Sequence, residues 1–150
     1  MAQSLTNGFS GKQLELYMHD YYERSDLVFR LGALLTGSRE GAEKLTEEAF
    51  RLLADDFAKL SSEGLPQKAL MMCAMRAWKQ VKQGKFHEWK IPILQSLKPM
   101  PEDQRVALFL VEIAGLEMSD AAKLLGCDET KFRSLLAGAQ KFLATNAVKV

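Results

Sequence analysis

The sequence predicts an all-α fold made of two small helical lobes joined by a linker. Three observations carry this. Apolar residues recur at three- and four-residue steps through nearly all of the chain after residue 11. No stretch shows the strict apolar–polar alternation of a half-buried strand. Gly84, Pro92, Pro99 and Pro101 punctuate residues 82–101 and so mark that stretch as the linker. A length of 150 residues suits one compact domain or two small ones.

Residues 1–11 are polar and small and form a loose leader. Leu14, Leu16, Tyr17, Tyr21 and Tyr22 begin a first helix, and Leu27, Val28, Leu31, Leu34 and Leu35 make a second amphipathic stretch. It ends at Thr36-Gly37-Ser38, where Gly37 suits the left-handed position past a helix end. Ser38 or its neighbours cap the next helix, whose stripe is Ala42, Leu45, Ala49, Phe50, Leu52, Leu53 and Phe57. The run SSEGLP at 61–66 breaks it. A further helix spans about 67–81, with Leu70, Cys73, Ala74, Ala77, Trp78 and Val81 on one face. The linker contains at most a short helical turn around Leu94 and Leu97. Beyond it, Pro101 opens a helix with Val106, Leu108, Phe109, Leu110 and Ile113 inward. A turn at 114–117 leads to a short helix with Ala121, Ala122, Leu124 and Leu125. Gly126-Cys127 turns the chain again, and Asp128 caps a last helix striped by Phe132, Leu135, Leu136, Ala139, Phe142 and Leu143. Short helix, glycine turn, helix is the helix-turn-helix pattern.

The composition, 47% hydrophobic and 26% charged, is that of a globular protein and argues against disorder. With no apolar run of about 18 residues and no apolar signal core, the chain is expected to be cytoplasmic, with no membrane partner. Cys73 and Cys127 lie far apart among apolar neighbours and are expected to be reduced core thiols. His19 and His87 lack the spacing of metal ligands, and Asp55-Asp56 has no burial context to tune a carboxylate. No nucleophile elbow, phosphate loop or dinucleotide fingerprint occurs. The expectation is a protein that is not an enzyme and needs no cofactor or metal. Met71, Met72 and Met75 suggest pliable core or an adaptable binding surface.

Residues 94–143 resemble the C-terminal lobe of an extracytoplasmic-function sigma factor. The segments carrying the likeness are Lys98-Pro99-Met100-Pro101, Gln104-Arg105, Ala114-Gly115-Leu116-Glu117, Ala122-Lys123-Leu124-Leu125-Gly126 and the helix from Thr130. Residues 20–81 are similar to the N-terminal lobe of that family: LTGSREGAEKLTEEAFRLL takes the place of its polymerase-clamping segment, and LMMCAMRAWKQ that of its −10-reading helix. The resemblance implies a region 2-like lobe at 12–83, a linker at 84–98 and a region 4-like helix-turn-helix lobe at 99–145. It implies a transcription initiation protein that binds the β′ subunit of core RNA polymerase through Glu43, Lys44, Glu47 and Glu48. It further implies contacts with promoter DNA through Arg76, Lys79, Lys82, Lys131, Arg133, Ser134, Gln140 and Lys141, and control by an anti-sigma protein.

Two departures open a second reading. Where the family has the run Asp-Ala-Glu-Asp, this chain has Gly41-Ala42-Glu43-Lys44, a charge reversal at a complementary contact. On a solvated helix Lys44 would instead pair with Glu40 or Glu48. In the last helix, usually basic positions align with Leu135, Gly138 and Gln140, and residues 101–150 hold 6 basic against 7 acidic side chains. Ala137 and Gly138 would leave a smooth outer face suited to another helix. The alternative is therefore a degenerate sigma mimic that binds an anti-sigma factor or other regulator without reading DNA. Against it, residues 76–98 hold six basic side chains and one acid, with Trp78, Phe86 and Trp89 interleaved. That pattern suits a melted single strand, unless the tryptophans are core.

Overall fold

The computed structural model describes residues 11–57 and 67–146, and all of its regular structure is helical. The leader at 1–10, the break at 61–66 and the side chains of Leu16, Asp56 and Phe57 lie outside the described residues. The helices are α1 (Gly11–Thr36), α2 (Arg39–Phe57), α3 (Gln67–Val81), α4 (Pro92–Leu97), α5 (Glu102–Leu108), α6 (Met118–Leu125) and α7 (Glu129–Asn146). A π-helical turn, Phe109–Ile113, continues α5.

The two amphipathic stretches before Thr36 form one continuous helix. Nothing between Tyr22 and Leu27 breaks it: Glu23, Arg24, Ser25 and Asp26 include neither glycine nor proline. Gly37 then turns the chain at φ 65°, donating its N–H to the Ala33 carbonyl at 2.8 Å. Ser38 caps α2 by accepting the Gly41 N–H at 3.2 Å. Of the predicted stripes of α2 and α3, Leu52 and Val81 are half-buried and the other described members are buried, and Met71 joins them, fully buried. Phe50, Phe109 and Phe132 are buried to 2% exposure or less; each contributes about 2–3 kcal/mol by leaving water.

The inward face of α5 departs from its expected course. Val106, Phe109 and Leu110 are buried, but Ile113 is 49% exposed and Ala114 takes the inward place. The cause is the π turn. Ala114 donates to the Phe109 carbonyl five residues back, so the turn holds one residue more and later positions slip outward.

One hydrophobic core runs from Val28 on α1 to Leu136 on α7. Four polar ties link the first three helices to the last three. Arg105 Nη1 donates to the Leu34 carbonyl at 2.7 Å, and the Trp78 indole N–H donates to Glu102 at 3.2 Å. Gln67 Nε2 donates to the Ala114 carbonyl at 3.2 Å, and Lys68 meets Asp120 at 3.7 Å. The connecting segment is pinned as well. The Trp89 N–H donates to the Gly37 carbonyl at 2.7 Å, and its ring stands edge-on to Phe29 with centroids 6.2 Å apart.

Candidate polymerase and nucleic-acid interfaces

The antiparallel contact of α1 and α2 leaves a groove between them of about 390 Å³, lined by Tyr21, Ser25, Asp26, Phe29, Glu43, Thr46 and Glu47. Tyr21 and Phe29 supply apolar surface; Tyr21 is held edge-on against Phe50 at 4.8 Å. The buried Thr46 hydroxyl is satisfied internally by the Ala42 carbonyl at 2.8 Å. What remains available is carboxylate. Asp26 and Glu43 are exposed at the rim, shared with Arg30 at 2.9 Å and Arg39 at 3.5 Å on their own helices, and Glu47 is exposed between them. An apolar floor with an acidic rim suits a helix that carries basic residues along an apolar stripe.

Of the four residues expected to meet polymerase, Glu43 and Glu47 line this groove. Glu48 is committed within α2, where Arg51 hydrogen-bonds it and holds its carboxyl below the ordinary carboxylate value. Lys44, expected to pair with Glu40 or Glu48, is exposed and in no ion pair with either among the described residues. Sequence reading missed Asp26, Tyr21 and Phe29. The spacing Tyr21, Ser25, Phe29 marks one face of α1 and was the available signal.

On α3, Arg76 and Lys79 are exposed, and Lys82 is exposed just beyond its end. None of the three is in an ion pair among the described residues. Met72, 43% exposed, lies on the same face four residues before Arg76. The tryptophans do not belong to this surface. Trp78 is 6% exposed and its indole is bonded to Glu102, and Trp89 is half-buried on Phe29. Stacking on a base is thereby excluded for Trp78 in this arrangement; it is a core residue.

The helix-turn-helix is formed by α6, the turn at 126–128 and α7. Gly126 takes φ 72°, the left-handed conformation that ends α6, and Asp128 Oδ1 accepts the Lys131 N–H at 2.7 Å to start α7. Phe132, Leu136 and Ala139 face inward, so Lys131, Arg133, Ser134, Ala137, Gln140 and Lys141 are exposed. Gln140 is also tied back, donating to Glu112 at 3.4 Å. Gly138 is not part of the smooth outer face expected of it. It abuts α5, where a Cβ on Gly138 would come within 2.7 Å of Gln104 Nε2. The outer face is small only at Ala137.

Among the described residues no His, Cys, Asp and Glu group could hold a metal ion, and no helix is long and apolar enough to cross a membrane. Neither cysteine is in a disulfide; Cys73 is buried and Cys127 half-buried.

No family model matches the chain, and no curated protein matches it. Among solved structures the chain is similar to the sigma factor RpoE of Bartonella quintana, determined in complex with the anti-sigma factor NepR. The TM-score is 0.72 at 14% identity, over 87% of this chain and 96% of that one. The chain therefore has a sigma factor-like fold, and all regular structure among the described residues is helical.

Proposed function

We propose that this chain is a sigma factor-like transcription initiation protein that binds core RNA polymerase and directs it to promoter DNA. The observation that carries the reading is the coexistence, on a sigma-like fold, of two unoccluded surfaces of the required kinds. One is the acidic, aromatic-floored groove of α1 and α2, which would receive a basic helical segment of the β′ subunit through Glu43, Glu47 and Asp26. The other is the solvent face of α7, whose Lys131, Arg133 and Ser134 follow the helix start where a recognition helix meets base edges and phosphates. Arg76, Lys79 and Lys82 add an unpaired cationic edge for a separated strand. In this reading the lobes are 12–83 and 99–145, and the segment 84–98 connects them.

A second reading is favoured by Lys44 and by Gln140. An unpaired lysine stands where complementarity asks for an acid, and one polar side chain of the recognition helix is occupied by Glu112. On that reading the same helical surfaces bind an anti-sigma protein without productive DNA reading; the similar RpoE was determined in complex with the anti-sigma factor NepR.

Binding of the purified chain to core RNA polymerase, followed by run-off transcription from a promoter library, separates the two. Promoter-dependent transcripts are expected, along with weaker polymerase binding by Glu47→Lys. Lys131→Ala combined with Arg133→Ala should flatten the salt dependence of promoter binding by about two units of log–log slope. A folded chain that binds neither polymerase nor promoter sinks the first reading and leaves the mimic.

A further inference from the structure

A cleft of about 380 Å³ opens where four parts of the chain meet: the end of α1, the connecting segment, α4 and α5. We propose that it is a binding site for a small amphiphilic carboxylate, whose carboxylate meets Arg105 and whose apolar body lies among Leu34, Leu94, Phe86 and Trp89. This site lies apart from the groove, α3 and α7 surfaces of the proposed function and does not depend on that reading.

The volume is in the range of small-ligand sites, about 300–1,000 Å³, and the walls combine apolar side chains with the polar Thr36, Gln95, Glu88, Lys98 and Arg105. The charge balance selects the ligand. Two cations line the cleft, Lys98 and Arg105, with one carboxylate, Glu88. Glu88 lies 3.7 Å from Lys98, and that pair closes on itself. Arg105 has no such partner. Of its five N–H groups, one on Nη1 meets the Leu34 carbonyl and the Nε–H lies out of reach of solvent, which leaves the remaining Nη N–H groups to meet a ligand. Glu102, three residues earlier on α5, accepts the Trp78 indole and makes no ion pair with Arg105. Burial pushes the guanidinium below the ordinary arginine value, an effect that the nearby Glu102 carboxylate offsets only in part. A planar guanidinium pairs well with a carboxylate, in two parallel hydrogen bonds.

Of the two cations that line the cleft, Arg105 is the one outside an ion pair, which favours a monoanion, and the leucine and aromatic walls call for a hydrocarbon or aromatic body behind it. Inorganic phosphate meets only the first requirement, and a neutral alcohol only the second. The indole of Trp89 lines the cleft and serves as a built-in reporter.

The test uses the full chain and three probes: octanoate, octan-1-ol and inorganic phosphate. Tryptophan fluorescence and calorimetric titration should show saturable octanoate binding with a Kd of about 1 mM or tighter, the range open to a ligand of about ten heavy atoms. Octanol should bind at least about tenfold more weakly, and phosphate should not compete. Leu94→Trp, which fills the cleft and leaves Arg105 in place, should abolish binding while circular dichroism remains helical. Arg105→Met should reduce octanoate binding to the level of octanol. Equal affinity for octanol, displacement by phosphate, or undiminished binding by folded Leu94→Trp would each overturn the proposal.

Discussion

Alanine at two helical glycines should change stability in opposite directions, and the sign follows from what each new methyl meets. Gly32 lies on α1 where it crosses α2. A Cβ there would stand 2.7 Å from the Ala42 Cα and 3.2 Å from the Leu45 Cβ. The nearest atom is backbone, so relief requires the two helices to separate. Helix propensity favours alanine by about 1 kcal/mol, but overpacking of a tight contact costs about 1–3 kcal/mol. Because α1 and α2 share much of the core, the upper part of that range applies, leaving Gly32→Ala about 1–2 kcal/mol less stable. For a chain of this size that is a fall of about 3–6 °C in Tm. At Gly138 the same methyl meets Gln104 Nε2 at 2.7 Å, the far end of a flexible side chain. Gln104 can swing aside, so the propensity gain survives and Gly138→Ala should be about 0.5–1 kcal/mol more stable. Urea unfolding followed by far-ultraviolet circular dichroism measures both, with unchanged m values ensuring a like comparison. A Gly32→Ala protein as stable as the parent would refute the close-approach argument. A destabilised Gly138→Ala protein would show that Gln104 is held more firmly than its single abutment implies.

Trp78→Phe keeps most of the buried ring and removes the indole hydrogen bond to Glu102; it should lower the urea midpoint by the equivalent of about 1 kcal/mol. Asp128→Ala deletes the cap of α7, and a loss of about 1 kcal/mol is expected in thermal unfolding, with Asp128→Asn retaining most of it. Arg51→Ala tests the pH dependence of the Glu48 pair. Glu48 has a lowered folded value, so the pair's contribution is present above the unfolded carboxylate value of about 4.3 and is lost as pH falls through the folded value. Arg51 and Glu48 are 44% and 25% exposed, so the cost at pH 7 should be no more than about 0.5 kcal/mol. It should vanish near pH 2, which parallel urea titrations at the two pH values would detect.

The helical class and the last helix were readable because each rests on local repetition. The inward set from Phe132 to Leu143 needs only the 3.6-residue period, and Ser38, Gly126 and Asp128 act within three residues of themselves. What escaped depends on distant partners. Trp78 already lay on the apolar face of its helix, but the acceptor that satisfies its buried indole, Glu102, is 24 residues away and could not be read locally. Gly138 looked like part of an outer face until Gln104 was found against it. The groove acids were half legible. Glu43 and Glu47 follow from their own helix, but Asp26 joins them only because α1 folds back along α2. Lys44 was given Glu40 or Glu48 as an i±4 partner; Arg51 takes Glu48, and no ion pair to Glu40 forms among the described residues.

The π turn at Phe109–Ile113 carries a lesson about insertions. A helix that pairs i with i+5 holds one residue more than its neighbours need, and the surplus here brings Ile113 to the surface while Ala114 turns inward. The same slip sets the position of the Ala114 carbonyl, to which Gln67 of α3 donates. Removing one residue between 111 and 113 would let the helix close into an ordinary α turn and draw that carbonyl away from Gln67. A single-codon change at this point therefore adjusts how the two ends of the molecule are joined, without altering a side chain in the interior of either.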